Sequence, residues 1–252
     1  MNIIKSYLTK NNCYLSARKL IPQGIMVHST ACPGAMHNNF LSSWNVPKPN
    51  GVSVCVHGFL DNTGFYQTLP WNFQAWHAGG SANRVLIGFE VCEPKNYADK
   101  EYFRNVKQKV IDLCVYLCRE FNLPSSSITT HCEGNQRYGS SYASAHADID
   151  HWWKKYHNYT MDDLRHDVEV ELKKIEVEEK MIKEFIDIYG EDIVRAGLTK
   201  LFDSEKYKNE ASDWAKEELE EAIKLGITDG SRPRDLSSRQ EVALMVERAI
   251  KK

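Results

Sequence analysis

Four short runs rich in β-branched and apolar residues set the frame into which the rest of this chain must fit: GIMVHST at 24–30, VSVCVHGF at 52–59, VLIGFEV at 85–91 and SITTHC at 127–132. Each has the length and composition of a sheet strand. Between the last two lies an apolar stretch from Tyr102 to Phe121, too long for a strand and closed by Asn-Leu-Pro, as helices close. Strands with a buried helix packed on them make an α/β unit, a mixed central sheet flanked by helices. From Asp162 to Tyr189 turn residues almost vanish, and apolar side chains recur at Val168, Leu172, Ile175, Ile182, Ile186 and Tyr189. With Glu179 occupying one position of the series, the steps alternate between four and three, the pattern of an amphipathic helix that either packs on its own chain or carries a coiled-coil seam. Beyond Gly190 the stretches are charged and rich in Ala, Leu and Ile, and the tail from Ala211 reads as helix, turn at Gly226, Gly230 and Pro233, then helix.

The 252 residues suffice for one or two domains with a full hydrophobic core. A composition boundary near His157 argues for two units. Residues 1–160 hold 15 Lys and Arg against 10 Asp and Glu, whereas residues 161–252 hold 17 against 24, and all seven cysteines precede residue 158. The expected division is a first domain at 1–160, a helical linker at 161–190 and a small all-α module at 191–252. An odd cysteine count without regular spacing favours reduced thiols over a disulfide framework. No apolar run reaches the roughly 18 residues of a membrane span, and no basic stripe interleaved with aromatics supports nucleic-acid binding. The start, MNIIKSYLTKNNCYLSARKL, has no sustained apolar core and does not read as a secretory signal.

Imidazoles and carboxylates cluster at or near the ends of the expected strands: His28, His57, His77, Glu90, His131, His146 and Asp148. These are residue types that bind zinc, but spacing alone leaves metal site and ordinary packing at even weight. The words around them add more. GIMVHST, TLPWNFQAWHAGG, IGFEVCEP and THCEGNQRYGSSYASAHADIDHWW resemble, in order and spacing, the zinc-dependent N-acetylmuramoyl-L-alanine amidases, relatives of the peptidoglycan recognition proteins, over about residues 20–155. The resemblance extends to the enzymes of phages and prophages of Gram-positive bacteria, clostridia in particular.

That resemblance implies His28, His131 and Asp148 as the ligands of Zn²⁺, with a fourth position left for water. It implies Glu90 as the general base, and His146, two residues before Asp148, as the group that stabilises the oxyanion. His77 and Trp76 in AWHAG, together with Asn38 and Arg84, are the candidates for contact with substrate. Relatives often carry an aromatic after the histidine matched by His57, and this chain has Gly58 there. The implied substrate is peptidoglycan, cut between the lactyl group of N-acetylmuramic acid and L-alanine. A non-catalytic peptidoglycan-recognition module and an autolysin of wall turnover are the alternatives.

The tail ASDWAKEELEEAIKLGITDGSRPRDLSSRQEVALMVERAI resembles a single S-layer homology repeat. This implies binding to secondary cell-wall polymers. One repeat cannot easily bury a core by itself, so the expectation extends to docking on the preceding helices or to a homo-oligomer. Together these features imply an endolysin made in the host cytoplasm that acts on the wall after membrane permeabilisation.

Overall fold

The computed structural model describes residues 3–48 and 54–195, and the structural statements below concern these residues. The module expected at 191–252 lies outside them from residue 196 onward, as do the first two residues of the 52–59 run.

Six strands form one mixed sheet in the order β1-β4-β3-β5-β2-β6. The strands are β1 (Ile3–Lys5), β2 (Gly24–Ser29), β3 (Gly58–Leu60), β4 (Phe65–Gln67), β5 (Leu86–Val91) and β6 (Ile128–Thr129). All pairings are parallel except the β3–β4 hairpin. The central strands β2 and β5 read as nearly continuous apolar runs because both faces of a parallel sheet are covered. One face carries Ile25, Val27, Ile87, Phe89 and Val91, all fully buried.

A long helix, α3 (Lys100–Glu120), packs against β2 and β3. Asp99 caps it, accepting the N–H groups of Glu101 and Tyr102 at 3.0 Å each. Its buried stripe of Tyr102, Val106, Val110, Leu113 and Leu117 keeps helical spacing, and the helix stops where Asn122 turns left-handed ahead of Leu123-Pro124. On the face that carries Glu90, α2 (His37–Trp44) lays Phe40 and Trp44 against Phe59, at ring separations of 4.9 and 5.1 Å.

The strands at 24–29 and 86–91 and the long helix stand where the sequence puts them. The second run contributes only Gly58–Leu60, with Cys55 making a single bridge to Trp76. The fourth contributes only Ile128–Thr129: Thr130 accepts the N–H of Glu133 and starts α4 (His131–Tyr138), so His131 opens a helix instead of closing a strand. A short α1 (Asn12–Ser16) precedes β2, and α5 (Trp153–His157) follows a 3₁₀ turn at Asp148–His151.

Residues Met1–Leu172 make one compact unit, and a second begins at Lys173. The long helix α6 (Met161–Tyr189) therefore starts inside the first unit, where Met161, Leu164 and Val168 are buried and Arg165 pairs with Glu133 at 2.9 Å. In the described part of the second unit, Ile175, Ile182 and Ile186 are half-buried, and a separate row of Val177, Met181, Phe185 and Ile188 is exposed.

Candidate metal centre

Parallel strands aim their carboxyl ends at one edge of the sheet, where sites in such folds collect. In β2 and β5 the register places His28 beside Glu90, so both side chains leave the same face near that edge. His131, in the first turn of α4, and Asp148, at the start of the 3₁₀ turn, arrive from the far side of β2. His28, His131 and Asp148 are all buried, and their ligand atoms lie within 4.8 Å of one another.

The two Nδ1 atoms of His28 and His131 are 3.0 Å apart; Asp148 Oδ1 lies 2.9 Å from Nδ1 of His131 and 3.4 Å from Nδ1 of His28. The Nε2 of His131 faces the His77 carbonyl at 2.9 Å. A carbonyl only accepts, so the imidazole proton sits on Nε2 and the Nδ1 lone pair points inward. Ligands on a tetrahedral Zn²⁺ with bonds of about 2.0–2.1 Å stand about 3.3 Å apart, close to the triangle seen here. Two imidazole nitrogens and a carboxylate fit that ion.

Electrostatics keeps His28 and Asp148 in ligand form. Burial pushes the His28 imidazole down, against the pull of Asp148, which favours the neutral ring. Burial alone would raise Asp148, but its close contacts with His131 and His28 hold its carboxyl well below the usual carboxylate range. Asp148 also takes the His131 N–H on Oδ2 at 2.5 Å, and it does so from a left-handed backbone at φ +48. A non-glycine residue holds that conformation only where its surroundings over-determine it.

Those surroundings include a carboxylate absent from the candidates drawn from the sequence. Glu93 is fully buried and accepts the Ser29 hydroxyl at 2.5 Å, the Ala31 N–H at 3.0 Å and the Tyr97 hydroxyl at 2.7 Å. The Nε2 of His151 lies 3.2 Å from Glu93, and its Nδ1 donates to the Asp148 carbonyl. Glu93 thus ties the exits of β2 and β5 to the turn that carries Asp148. A second glutamate in the EVCEP word, just past a strand end, was the available signal.

Glu90 is different. Its Oε2 is shielded from solvent and has no hydrogen-bond partner, and burial, then the charges of Asp148 and Glu93, push its carboxyl up to about 8. A half-buried carboxyl with one shielded, unpartnered oxygen next to a ligand set is able to take up and release a proton there. His146 is exposed on its loop, with its ring centroid 5.0 Å from that of His131.

The remaining expected residues are scattered. His77 lies against the ligands: its Nδ1 is 2.8 Å from His28 Nε2. Trp76 is half-buried against a cluster containing Cys55 and Leu69, with the Arg18 guanidinium 5.9 Å from its ring centroid. Asn38 is exposed in the first turn of α2. Arg84 is exposed just before the amino end of β5, whereas Glu90 stands near the carboxyl end of that strand. At Gly58 a Cβ would come within 2.1 Å of the Phe65 ring, so that ring fills the space a side chain would need. A cavity of about 860 Å³ beside β6 and α4 is lined by Gln23, Glu133, Arg137 and Tyr142, and none of the three ligand-type residues lines it.

The model of a family described as N-acetylmuramoyl-L-alanine amidase matches residues 18–151. The chain is 30% identical over 161 residues to the N-acetylmuramoyl-L-alanine amidase CwlH of Bacillus subtilis (strain 168), covering 60% of this chain and 58% of that protein. It is 34% identical over 101 residues to the amidase XlyA of the same organism, covering 37% and 32%. With the amidase CwlA of a Bacillus species it shares 28% over 127 residues, covering 44% and 50%. The chain thus spans about half or less of the length of most of these curated relatives. Among solved structures, the Staphylococcus aureus hydrolase AmiA in complex with its ligand aligns with a TM-score of 0.53 at 20% identity, over 68% of this chain and 83% of that one. PlyL aligns with a TM-score of 0.50 at 21% identity, over 67% and 97%. At these identities the likeness is one of fold.

Proposed function

Because the chain belongs to the N-acetylmuramoyl-L-alanine amidase family, we propose that it hydrolyses the amide joining the lactyl group of N-acetylmuramic acid to L-alanine in peptidoglycan, using Zn²⁺ held by His28, His131 and Asp148. The observation that carries this reading is the buried His28–His131–Asp148 triangle on the same sheet face as a glutamate with an unpartnered oxygen. When bound, the ion supplies Lewis-acid polarisation of the amide carbonyl and a water of lowered pKa.

The chain's own residues do the rest. Two neutral imidazoles and one carboxylate leave the ligand set with a single negative charge, too little to cancel a dication. Glu90 takes the proton of the attacking water at its free oxygen and passes it to the leaving amine of L-alanine as the C–N bond breaks. His146, exposed beside His131, donates to the oxyanion that forms on the carbonyl oxygen. Glu93 and His151 hold the turn that presents Asp148.

The finer reading is an endolysin of a phage or prophage of clostridial type, made in the host cytoplasm and reaching the wall once the membrane is permeabilised. Its segment from 191 onward is an S-layer-homology-like module that binds secondary cell-wall polymer or associates with other copies. Support comes from the resemblance of the tail words SDWA, AIKLGITDG and SRQEVALMV.

The test is digestion of purified clostridial walls with and without a chelator, scoring freed L-alanine amino groups and reducing sugars. The expected result is chelator-sensitive release of amino groups without new reducing ends. Release of reducing ends, or no release from several wall types by zinc-loaded protein, refutes the proposal.

A further inference from the structure

A histidine ligand binds a cation through one ring nitrogen, and the hydrogen bond at the other nitrogen decides which one is free. In this centre both outer nitrogens meet the same residue. His77 Nε2 faces the Leu86 carbonyl at 3.2 Å, which accepts only, so Nε2 carries the proton and Nδ1 is left as an acceptor. That Nδ1 stands 2.8 Å from Nε2 of His28, which must therefore donate, leaving the Nδ1 of His28 bare and facing His131 and Asp148. The main-chain carbonyl of His77 takes the Nε2–H of His131 at 2.9 Å and fixes the second ring in the same way.

The structure keeps this residue in place from two directions. Asn83 Oδ1 accepts the N–H groups of His77 and Ala78, at 2.8 and 2.7 Å, which fixes the peptide whose carbonyl serves His131. Beneath the ring lies Gly88, where a Cβ would come within 2.3 Å of His77 Nδ1 and 2.6 Å of Cγ and Cε1. Only a glycine leaves the imidazole its seat on β5.

We infer that His77 is the positioning residue of the centre, its ring setting the tautomer of His28 and its carbonyl that of His131, in place of a role in touching substrate. The inference rests on the reading of His28, His131 and Asp148 as metal ligands, and Zn²⁺ affinity tests it without recourse to turnover. In a chelator competition on the full chain, His77→Ala is expected to weaken Zn²⁺ binding about 10–100-fold, the usual effect of removing such an outer partner. His77→Asn is expected to recover most of that loss, since its Oδ1 falls near the Nδ1 position and still accepts from His28. Wild type that binds no Zn²⁺ refutes the metal reading itself; wild type that binds while His77→Ala binds equally well overturns the role of His77. A measurement free of variants guards against misfolding: imidazole ¹⁵N shifts of the metal-free wild-type chain should show His28 protonated at Nε2 and bare at Nδ1. The opposite tautomer at His28 refutes the inference.

Discussion

Replacing Glu90 by Gln should move catalysis and stability in opposite directions, and the second effect can be worked from the site. In the metal-free protein the Glu90 carboxyl titrates at about 8, raised from 4.5 by burial and by the charges of Asp148 and Glu93. A raised folded-state value means that its stability contribution is complete below pH 4.5 and is lost as pH rises toward 8. At pH 7 the loss amounts to about 3 kcal/mol, at about 1.4 kcal/mol per unit. Glutamine does not titrate, so whatever its amide costs in that position is the same at every pH. Urea unfolding of chelator-treated protein between pH 4.5 and 7.5 should show wild type losing about 3 kcal/mol relative to Glu90→Gln. Zinc-loaded Glu90→Gln should bind the ion as wild type does and lose about 10²–10⁴-fold in turnover, the range of a general base. Parallel pH–stability profiles would remove the burial argument, and full turnover would remove the base.

Three further outcomes follow from the same structure. Asp148→Ala should lose zinc retention and amide hydrolysis together, checked by metal analysis after gel filtration; a full equivalent of zinc would exclude Asp148 as a ligand. His57 is buried with Nε2 donating to the Phe73 carbonyl and Nδ1 accepting the Gly88 N–H, and burial lowers its value from 6.5 to about 4. Its share of stability is therefore complete above pH 6.5 and falls by up to about 3 kcal/mol as pH drops to about 4, so His57→Gln should flatten the acid limb of urea midpoints against pH. Truncation after Leu172 should leave hydrolysis of soluble muropeptides intact, while truncation after Thr160 strips Met161, Leu164 and Val168 from the first unit. At about 1.5–3 kcal/mol for each buried apolar side chain, thermal melts of the two should differ widely; equal melting would deny α6 its place in that unit.

What could be read from the sequence was what burial writes into it. β2, β5 and α3 were legible because strands covered on both faces and a helix packed on a sheet leave unbroken apolar patterns. β1 and β4, at three residues each, carry no period to detect, and α2, at eight residues with none fully buried, writes no strong apolar stripe into the sequence. The strand expected through His131 gave way because the Thr130 side chain accepts the Glu133 N–H and caps a helix there. In the centre, local words located His28, Glu90, His131 and Asp148, but the work of His77 was invisible, because half of it is done by a main-chain carbonyl. Glu93 was missed because its partners Ser29, Tyr97 and His151 are dispersed along the chain and meet only in the fold.

The short outer strands bear on how concentrated the folded protein can become. An exposed, long, flat edge invites another chain to extend the sheet, which is the first step of many aggregates. Here β1 offers three residues ending in Lys5, and β6 offers two, with the Ile128 carbonyl already accepting the Arg165 guanidinium at 3.0 Å. Intermolecular strand addition thus finds little template at either side, and at β6 the contact that closes the edge is the same one that anchors α6.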